Sequence, residues 1–450
     1  MDVLFSLDPA LPKRRGVEEA IRRAALLGLL PEGSRVPAAR ELAAELGVAR
    51  GTVVAAIDDL VADGLLVTRP RTGTFVARTP TAMDEPATAS MPHAPRLDLR
   101  PGRPETGSFP IARWTSAARK AAVAAFATAP TDDDGAGSLE LRTQLAAYLA
   151  RARGVETSPA SIVVSAGYRS ASTVLAAALR SLGATQAAIE DPALPGLDRL
   201  WSSAGLHVID LPVDNSGAQT SLLHGDTDIA VLTPAHQFPL GGALDAQRRR
   251  EVVTWADRTD GFVVEDDYDG EFRFDRRPIA ALQRSAPQRV IYAGSVSKTL
   301  DTRLRLGWLA LPHDLVEPVR AATLTLTGGV SLLDQLTVAE LIRSGEYERH
   351  VRRQRREYAR RHDVLHTAAT QAGIPLTGIP AGLQALVPLP ATLESLADTN
   401  GVIQVGDLIT HSLGRYARQP GNAPAAVIGF ATPSRGAFPS AIAALVRWLR

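Results

Sequence analysis

The first part of the chain carries apolar residues at helical spacing. Apolar positions three and four apart predict a helix over residues 17–29, a short helix over 38–47 and another over 49–64. The last two are joined by a tight glycine turn, which is the pattern of a helix-turn-helix. The stretch LLVTRPRTGTFVAR then alternates, breaks over residues 69–73 and alternates again, which predicts a β-hairpin. Residues 1–78 are therefore predicted to form a winged helix-turn-helix domain.

Positive charges lie where such a domain contacts DNA. In a helix-turn-helix, the N-terminal residues of the second helix reach the base edges. Basic and acidic residues are nearly balanced over residues 1–78, so position rather than net charge carries the prediction. The alternative is a small helical domain with ordinary surface arginines. The candidate DNA contacts lie in the first helix of the pair, at the start of the second and at the hairpin tip: Arg40, Arg50, Gly51, Thr52, Arg69 and Arg71.

Residues 79–96 have a different composition from the segments on either side. The stretch TPTAMDEPATASMPHAPR is rich in Pro, Ala, Thr and Ser and has no apolar periodicity. Such a composition predicts a flexible or partly extended linker. Its length allows the two domains that it joins to come from different subunits of a dimer.

From residue 97 onward, strand-like apolar runs alternate with helical patterns. This order predicts an α/β domain over residues 97–450, with a mainly parallel sheet covered on both faces. After about residue 331 the pattern indicates helices followed by a small α/β subdomain. No GxGxxG motif is present, which argues against a dinucleotide site. The seven candidate strands are residues 161–165, 187–190, 207–211, 229–233, 262–266, 290–294 and 306–311.

Polar clusters follow three of these strands, at the strand ends where ligands collect in such folds. SAGYRSAS opens a helix whose backbone amides suit a phosphate. In EDDYDGEF, Asp266 suits a protonated ring nitrogen and Tyr268 a phenolic oxygen. In GSVSK, the serines together with Arg305 supply donors for a phosphate dianion. Each cluster alone fits an ordinary helix start or acidic turn, but together with a lysine they are what pyridoxal phosphate requires.

Composition singles out that lysine. Of the 49 Lys and Arg residues, only Lys13, Lys120 and Lys298 are lysines. A desolvated lysine can lose its proton and attack a carbonyl group, whereas a guanidinium stays charged. Lys298, between two predicted strands, is therefore either a reactive amine or a surface lysine, and composition favours neither.

Several classes of protein are disfavoured by what the sequence lacks. Cysteine is absent, which excludes disulfides and thiolate chemistry. No apolar run approaches the length needed to cross a membrane, and the first residues do not resemble a signal peptide. The net charge of +1 says nothing about nucleic acid. We therefore expect a cytoplasmic protein without a membrane partner.

Longer segments resemble a known family. LLPEGSRVPAARELAAELGVARGTVVAAIDDLVADGLLVTRPRTGTFVA resembles the winged helix-turn-helix of GntR-type bacterial regulators, which implies binding to a double-stranded DNA operator. Ala38 and Gly51 replace a Ser and an Asn that are common there, so the resemblance implies no operator sequence. The later segments resemble a fold-type I aminotransferase domain, and the whole chain resembles the MocR subfamily of these regulators. They are RPGRPETGSFPIARW, GAGSLELRTQLAAYLARARGV, IEDPALPG, TPAHQFPLGG, EDDYDGEFRFD, GSVSKTL with RLRLGW, and GEYERHVRRQRREYARRHDVL.

The resemblance implies a site for pyridoxal 5'-phosphate. It implies that Lys298 forms the internal aldimine, a Schiff base with the cofactor, while Asp266 pairs with the pyridine nitrogen and Tyr268 contacts the ring oxygen. The serines, Arg305 and the loop at residues 168–169 are implied to hold the phosphate. The implied cofactor-binding residues are Lys298, Asp266, Tyr268, Ser295, Ser297, Arg305, Tyr168, Arg169, His236 and Gln237.

Three departures from the aminotransferase pattern bear on catalysis. Leu194 stands where the family often has a tyrosine that can stack on the cofactor. The position near Asp132 lacks an aromatic residue that often reaches the partner subunit's cofactor. Val427 stands about where aminotransferases have the arginine that holds the substrate carboxylate. These departures predict cofactor binding with weak or absent transamination.

Three hypotheses follow. The favoured one is a homodimeric, domain-swapped transcriptional regulator that senses pyridoxal phosphate, or its adduct with an amine or amino acid. The alternative is an active aminotransferase with a vestigial DNA-binding module. A third is a constitutive DNA-binding protein whose large domain only dimerises.

Overall fold

A computed structural model describes Phe5 and residues 7–77, 97–105, 107–127, 134–274, 279–421 and 423–450. The chain divides into two compact units, Met1–His93 and Ala94–Arg450. The predicted linker, residues 79–96, lies outside the described residues, and so does Asp132. Within the described ranges, no helix is both long enough and apolar enough to cross a membrane.

The N-terminal unit contains the predicted helices. They are α1 (Lys13–Leu26), α2 (Ala39–Glu45) and α3 (Arg50–Ala62). Each helix buries the face on which its apolar residues recur, so Val17, Leu42 and Val53 meet in one core. Helix α1 ends at Leu26 rather than at residue 29, because Gly28 takes a left-handed conformation with φ 70° that stops the helix.

The predicted wing is also present. Strands β1 (Leu66–Arg69) and β2 (Gly73–Val76) pair antiparallel, with Leu66 opposite Val76. Arg71 lies at the tip with φ 64°, in the left-handed region that reverses the chain direction. The break predicted over residues 69–73 is therefore the turn of the hairpin.

The C-terminal unit is built on a mixed sheet in the order β4-β11-β10-β9-β8-β5-β6-β7. All seven predicted strands are present, and the two-residue β7 adds an antiparallel edge. Strand β11 runs antiparallel to both of its neighbours, β10 and β4. The four pairings of β10 with β9, β9 with β8, β8 with β5 and β5 with β6 are parallel, as predicted. The strands are β4 (Ile162–Ser165), β5 (Gln186–Asp191), β6 (His207–Asp214), β7 (Gly217–Ala218), β8 (Ile229–Leu232), β9 (Phe262–Asp266), β10 (Val290–Ser295) and β11 (Gly307–Ala310).

Helices cover this sheet on both faces. Alternate residues of a strand point to opposite faces, and here both are buried: Val163 belongs to one apolar cluster and Val164 to another. This double burial is why the strands appear in the sequence as continuous apolar runs. The helices of this part are α4 (Ile111–Phe126), α5 (Leu139–Arg153), α6 (Tyr168–Ser181), α7 (Leu197–Ser203), α8 (Ala246–Thr259), α9 (Val316–Leu326) and α10 (Leu332–Arg343).

The small α/β subdomain lies mostly in the last hundred residues, as predicted, but one of its strands comes from much earlier. Strand β3 (Leu97–Asp98) pairs parallel with β14, with Leu97 opposite Leu408. This pairing, which no local pattern predicts, carries the segment after Asp98 into the subdomain. The remaining elements are α11 (Glu346–Gln371), β12 (Ala385–Pro388), α12 (Ala391–Glu394), β13 (Val402–Val405), β14 (Leu408–Ser412), β15 (Ala425–Ile428) and α13 (Phe438–Leu449).

Candidate functional site

A cavity of about 410 Å³ opens at the C-terminal ends of the parallel strands. Its volume is within the range of small-molecule sites. The loops after β4, β5, β8, β9 and β10 all contribute to its wall, because the C-terminal ends of parallel strands meet at one edge of the sheet. Eight of the ten predicted cofactor residues line it: Tyr168, Arg169, Asp266, Tyr268, Ser295, Ser297, Lys298 and Arg305.

Lys298 lies directly after β10, inside this cavity. Its Nζ donates a hydrogen bond to the carbonyl oxygen of Gly102 at 2.6 Å. Removal from water lowers the pKa of this amine, and the nearby positive charge of Arg103 lowers it further, against the opposing effect of Asp269 and Asp266. The lowered pKa makes the unprotonated form, which is the nucleophilic form of an amine, more accessible than for a lysine in water.

Asp266 ends β9 and faces the same space. Burial raises the pKa of its carboxyl well above the usual value, and the charge of Lys298 only partly offsets this. Within the described part of the chain, no side chain donates a hydrogen bond to this carboxylate. A ligand nitrogen that carries a proton would supply the missing partner, which is what a pyridinium ring offers.

Tyr268 is held by groups behind the cavity wall. Its hydroxyl accepts a hydrogen bond from Gln384 Nε2 at 2.8 Å and lies 3.0 Å from His236 Nδ1. The same His236 nitrogen lies 2.8 Å from Asp269 Oδ2. His236 does not line the cavity, so the structure places it as a support for Tyr268 rather than as a direct contact.

Gln237 also does not line the cavity but lies behind its wall. Its Nε2 donates to Glu190 Oε2 at 3.2 Å and to the carbonyl oxygen of Pro192 at 2.9 Å. Glu190 does line the cavity, and burial raises the pKa of its carboxyl to about 7. Glu190 belongs to the segment IEDPALPG, but its local sequence predicts no role for it, because its burial is a property of the folded site.

The other end of the cavity is suited to an anion. Helix α6 begins at Tyr168, which lines the cavity together with Ser295 and Ser297, so the free backbone amides of its first turn lie at the cavity wall. Arg305 has no carboxylate partner among the described residues, and Tyr168 carries a buried hydroxyl without a hydrogen-bond partner. Arg169 also lines the cavity, although its Nη2 donates to the carbonyl oxygen of Pro195 at 2.5 Å.

These observations together fit pyridoxal phosphate. The amine, the unpartnered carboxylate and the phenolic hydroxyl lie on one cavity, and an end rich in donors can receive a phosphate. Lys298, Asp266 and Tyr268 would hold the ring portion, and Ser295 with Arg305 the phosphate. No group of His, Asp and Glu side chains suited to a metal ion occurs among the residues that the structure describes.

The candidate DNA-binding residues lie in the N-terminal unit. Arg50 and Gly51 begin α3, Arg40 lies on α2, and the hairpin bears Arg69 and Arg71; all five are exposed, while Thr52 is half-buried. None of the four arginines forms an ion pair with a carboxylate in the described ranges. Arg69 lies over the ring of Phe75, with 4.9 Å between the guanidinium carbon and the ring centroid.

The acidic residues of α3 are at its other end and are partly neutralised. Arg14 of α1 pairs with Asp59, and Arg22 pairs with Asp63 at 2.5 Å. The N-terminal half of α3 therefore keeps its positive charge, while the carboxylates farther along face α1. This polarity suits a helix whose first turn approaches a nucleic acid.

Comparisons with known proteins agree with this division of the chain. Residues 13–76 match the family of bacterial regulatory proteins called gntR, and residues 97–434 match aminotransferase class I and II. The chain is 32% identical over 395 residues to the HTH-type pyridoxine biosynthesis transcriptional regulator PdxR of Corynebacterium glutamicum, covering 86% of each protein. It is 32% identical over 386 residues to the probable rhizopine catabolism regulatory protein MocR of Rhizobium meliloti, covering 81% of this chain and 78% of that protein.

The chain belongs to the MocR-type regulators of the GntR family. Its large unit is also similar to solved aminotransferases. An archaeal alanine:glyoxylate aminotransferase superposes with a TM-score of 0.69 at 22% identity, over 78% of this chain and 90% of that one. Kynurenine aminotransferase of Pyrococcus horikoshii gives a TM-score of 0.68 at 19% identity, over 78% and 90% of the two chains. At this identity the likeness establishes the fold alone.

The structure also locates the departures from the aminotransferase pattern in this MocR-type chain. Leu194 lines the cavity. Val427 lies on β15, fully buried between Leu386 and His411, and does not line the cavity. Two arginines that the sequence analysis missed do line it, Arg103 and Arg415. No local motif distinguishes them, because they come from segments about three hundred residues apart that contacts such as the β3–β14 pairing bring to one cavity.

Proposed function

We propose that this MocR-type regulator binds an operator through its N-terminal unit and responds to pyridoxal phosphate held in the C-terminal cavity. The observation that carries the proposal is the meeting of Lys298, Asp266 and Tyr268 with an anion-suited end on one cavity, in a chain that also bears a GntR helix-turn-helix. A relative that is 32% identical is named a regulator of pyridoxine biosynthesis. The cofactor is therefore itself a chemically sensible signal for this chain.

The chain's own groups have distinct tasks in this proposal. Pyridoxal phosphate supplies an aldehyde that reacts with amines and a ring nitrogen that can carry a proton. Desolvation lowers the pKa of the Lys298 amine, which makes the unprotonated, reactive form easier to reach than in water. Asp266 holds the proton at the ring nitrogen, and Tyr268, oriented by Gln384 and His236, hydrogen-bonds the phenolic oxygen. Ser295, Arg305 and the start of α6 bind the phosphate.

Regulation then follows from differential affinity. A ligand shifts the equilibrium between two states of a protein only as far as its affinities for the two states differ. If the cofactor favours one state and DNA the other, or both favour the same state, each changes the affinity of the other by the same factor. DNA affinity must therefore depend on the cofactor, and cofactor affinity on DNA.

We propose that the active species is a homodimer, and a domain-swapped arrangement remains part of this hypothesis. Helices α4 and α10 of the large unit pack together, and large apolar side chains nearby remain exposed. Several large exposed apolar side chains on neighbouring helices are typical of a protein interface. Light scattering of the purified protein tests the proposal, and a monomeric mass at micromolar concentration contradicts it. The exposed residues are Ile111, Val123, Phe126, Leu139, Leu324, Leu326, Leu332 and Leu333.

The direct test measures DNA binding with and without the cofactor. Purified protein is titrated onto DNA from upstream of its own gene, by fluorescence anisotropy, in the presence and absence of pyridoxal phosphate. We expect a change in operator affinity for the wild type and none for Lys298→Ala. An affinity that ignores the cofactor in the wild type contradicts sensing and favours the constitutive DNA-binding hypothesis.

An aminotransferase function is the second candidate. Val427 cannot hold a substrate carboxylate, but Arg103 and Arg415 on the cavity wall offer another place for one. Incubation of the cofactor-loaded protein with amino-acid and keto-acid pairs, followed for many equivalents of product, separates the two functions. Repeated turnover favours the enzyme, whereas ligand-dependent DNA affinity without turnover favours the regulator.

A further inference from the structure

Helix α11, which does not belong to the cavity's parallel strand ends, carries a positive face. Seven arginines and four acidic residues lie between residues 346 and 363. The opposite side of the helix packs into the core through Tyr347, Val351 and Tyr358. At about 100° per residue, five exposed arginines fall within about one third of the circumference, and we call them the arginine face. They are Arg349, Arg352, Arg353, Arg356 and Arg360.

Carboxylates balance only the two ends of the arginine face. Glu346 pairs with Arg349 at 2.9 Å, and Glu357 pairs with Arg360 at 2.6 Å. The exposed Asp363 follows about two turns after the middle of the face. The three middle guanidinium groups form no ion pair with a carboxylate in the part of the chain that the structure describes, and they are therefore available to an anion. They belong to Arg352, Arg353 and Arg356.

The acidic residues close to this face in sequence are already occupied by other arginines. Arg151 of α5 pairs with Glu348 at 3.0 Å. Hydrogen bonds from Arg360 and Arg361 lower the pKa of the Glu357 carboxyl to about 2. These carboxylates are therefore ionised and neutralised near pH 7, and they do not compensate the middle of the arginine face.

The spacing of the arginines adds repulsion within the helix. Like charges four residues apart lie next to each other on a helix surface and destabilise it. The arginine face contains three such pairs, and a bound anion would relieve the repulsion in each. The pairs are Arg349 with Arg353, Arg352 with Arg356, and Arg356 with Arg360.

Helix α8 shows how the same unit arranges an ordinary solvated helix. Its exposed residues mix the two signs, with Asp257 beside Arg258, and Arg248 pairs with Asp214 at 2.6 Å. The chain uses arginine in place of lysine almost everywhere, so the residue type on α11 carries no argument. The single sign of its exposed face does, because a helix that meets only water gains nothing from it.

We propose that the arginine face of α11 binds the phosphate backbone of DNA outside the base pairs that the N-terminal unit contacts. The proposal rests on the operator binding in the proposed function, because a bound operator supplies the neighbouring duplex. Guanidinium groups bind phosphate oxygens through hydrogen bonds as well as charge. The face is about 16 Å long, and each DNA strand presents a phosphate about every 3.4 Å along the axis, so several arginines can reach one strand.

The experiment measures what flanking DNA adds to the affinity of the full-length protein. Stepwise truncation of DNA from upstream of its own gene defines the shortest duplex that still binds in preference to unrelated DNA. This duplex is the core probe. The long probe adds about two helical turns of unrelated sequence on each side, because phosphate contacts carry no sequence information. Fluorescence anisotropy gives the dissociation constant of each probe at several salt concentrations.

We expect the wild type to bind the long probe more tightly than the core probe, with a steeper salt dependence. Each phosphate contact contributes about 0.9 to the salt slope, so three contribute about 2 to 3. The preference for the long probe should then fall by about 40-fold between about 50 and 200 mM salt. The triple variant Arg352→Gln, Arg353→Gln and Arg356→Gln should lose most of this preference and bind the core probe as the wild type does.

A second triple variant controls for the change in charge. It replaces exposed arginines on α6 and α8 and should keep the preference: Arg180→Gln, Arg250→Gln and Arg258→Gln. Circular dichroism and thermal melting check that both triple variants fold. An equal loss in the two triple variants would show a general effect of charge and overturn the proposal. An unchanged preference in the α11 variant, or an equal loss on both probes, would overturn it as well.

Failure of the proposed function gives a different result. If the wild type binds no upstream DNA in preference to unrelated DNA, operator binding fails. If it binds the core probe specifically but gains neither affinity nor salt slope from the flanks, the DNA contact of the arginine face is overturned alone.

Discussion

The two units use positive charge in opposite ways. In the N-terminal unit, Arg40, Arg50 and Arg71 are exposed and belong to adjacent elements of a small motif. In the C-terminal cavity, Lys298 is desolvated, its pKa is lowered by burial, and its partners come from several strand ends. Exposed arginines attract a polyanion from a distance, while a desolvated lysine becomes a nucleophile. Exposure therefore helps decide whether a basic side chain acts through its positive charge or, as the neutral amine, through its lone pair.

The strongest test of this contrast removes the amine. Lys298→Ala should abolish uptake of pyridoxal phosphate as seen in the visible absorbance of the purified protein, because no other lysine lines the cavity. Lys120→Ala is the matched control, since Lys120 is exposed and pairs with Glu340 at 2.8 Å. Normal uptake by Lys298→Ala would contradict the proposed site.

Replacing the carboxylate of Asp266 should have the next largest effect on the binding of pyridoxal phosphate. Asp266→Asn removes the negative charge that would hold a protonated ring nitrogen. We expect the dissociation constant for pyridoxal phosphate to rise by about 10- to 100-fold, the range for a hydrogen bond to a charged group. Equilibrium titration followed by absorbance measures it. An unchanged constant would mean that Asp266 does not contact the ring.

For the exposed arginines, the effect should depend on salt. Arg50→Ala should weaken operator binding by about 1 to 3 kcal/mol if Arg50 reads a base, or lower the salt slope by about 1 if it contacts a phosphate. Arg23→Ala is the control, because Arg23 is exposed on the last turn of α1, away from the first turn of α3. Fluorescence anisotropy at several salt concentrations distinguishes the two modes. If neither the affinity nor the salt slope changes, Arg50 does not contact the DNA.

The smallest expected effect is a shift in a pH profile. Only the unprotonated amine reacts, so the uptake rate should rise with pH, with a midpoint below the ordinary lysine pKa of 10.5. Asp266 raises the pKa of Lys298, so Asp266→Asn should move this midpoint to still lower pH. Stopped-flow absorbance measures the rates. A midpoint at or above the ordinary value contradicts a desolvated amine.

Some features of this protein follow from its local sequence, and others arise only when its elements pack together. The helix-turn-helix, the wing and the seven main strands follow from local periodicity, because a helix or strand that buries one or both faces must show that burial in its own sequence. The strand ends also fixed which polar residues share an edge, so Lys298, Asp266, Tyr268 and Ser295 could be grouped without coordinates. That grouping relies only on the geometry of parallel strands.

Tertiary structure decided what stands behind and opposite those residues. It placed His236 and Gln237 behind the cavity wall rather than on it, added Glu190 to the lining, and brought Arg103 and Arg415 to the same cavity. Desolvation of Lys298 likewise depends on groups distant in sequence. Local pattern records which face of an element is buried, but pKa values and long-range neighbours arise only when the elements pack.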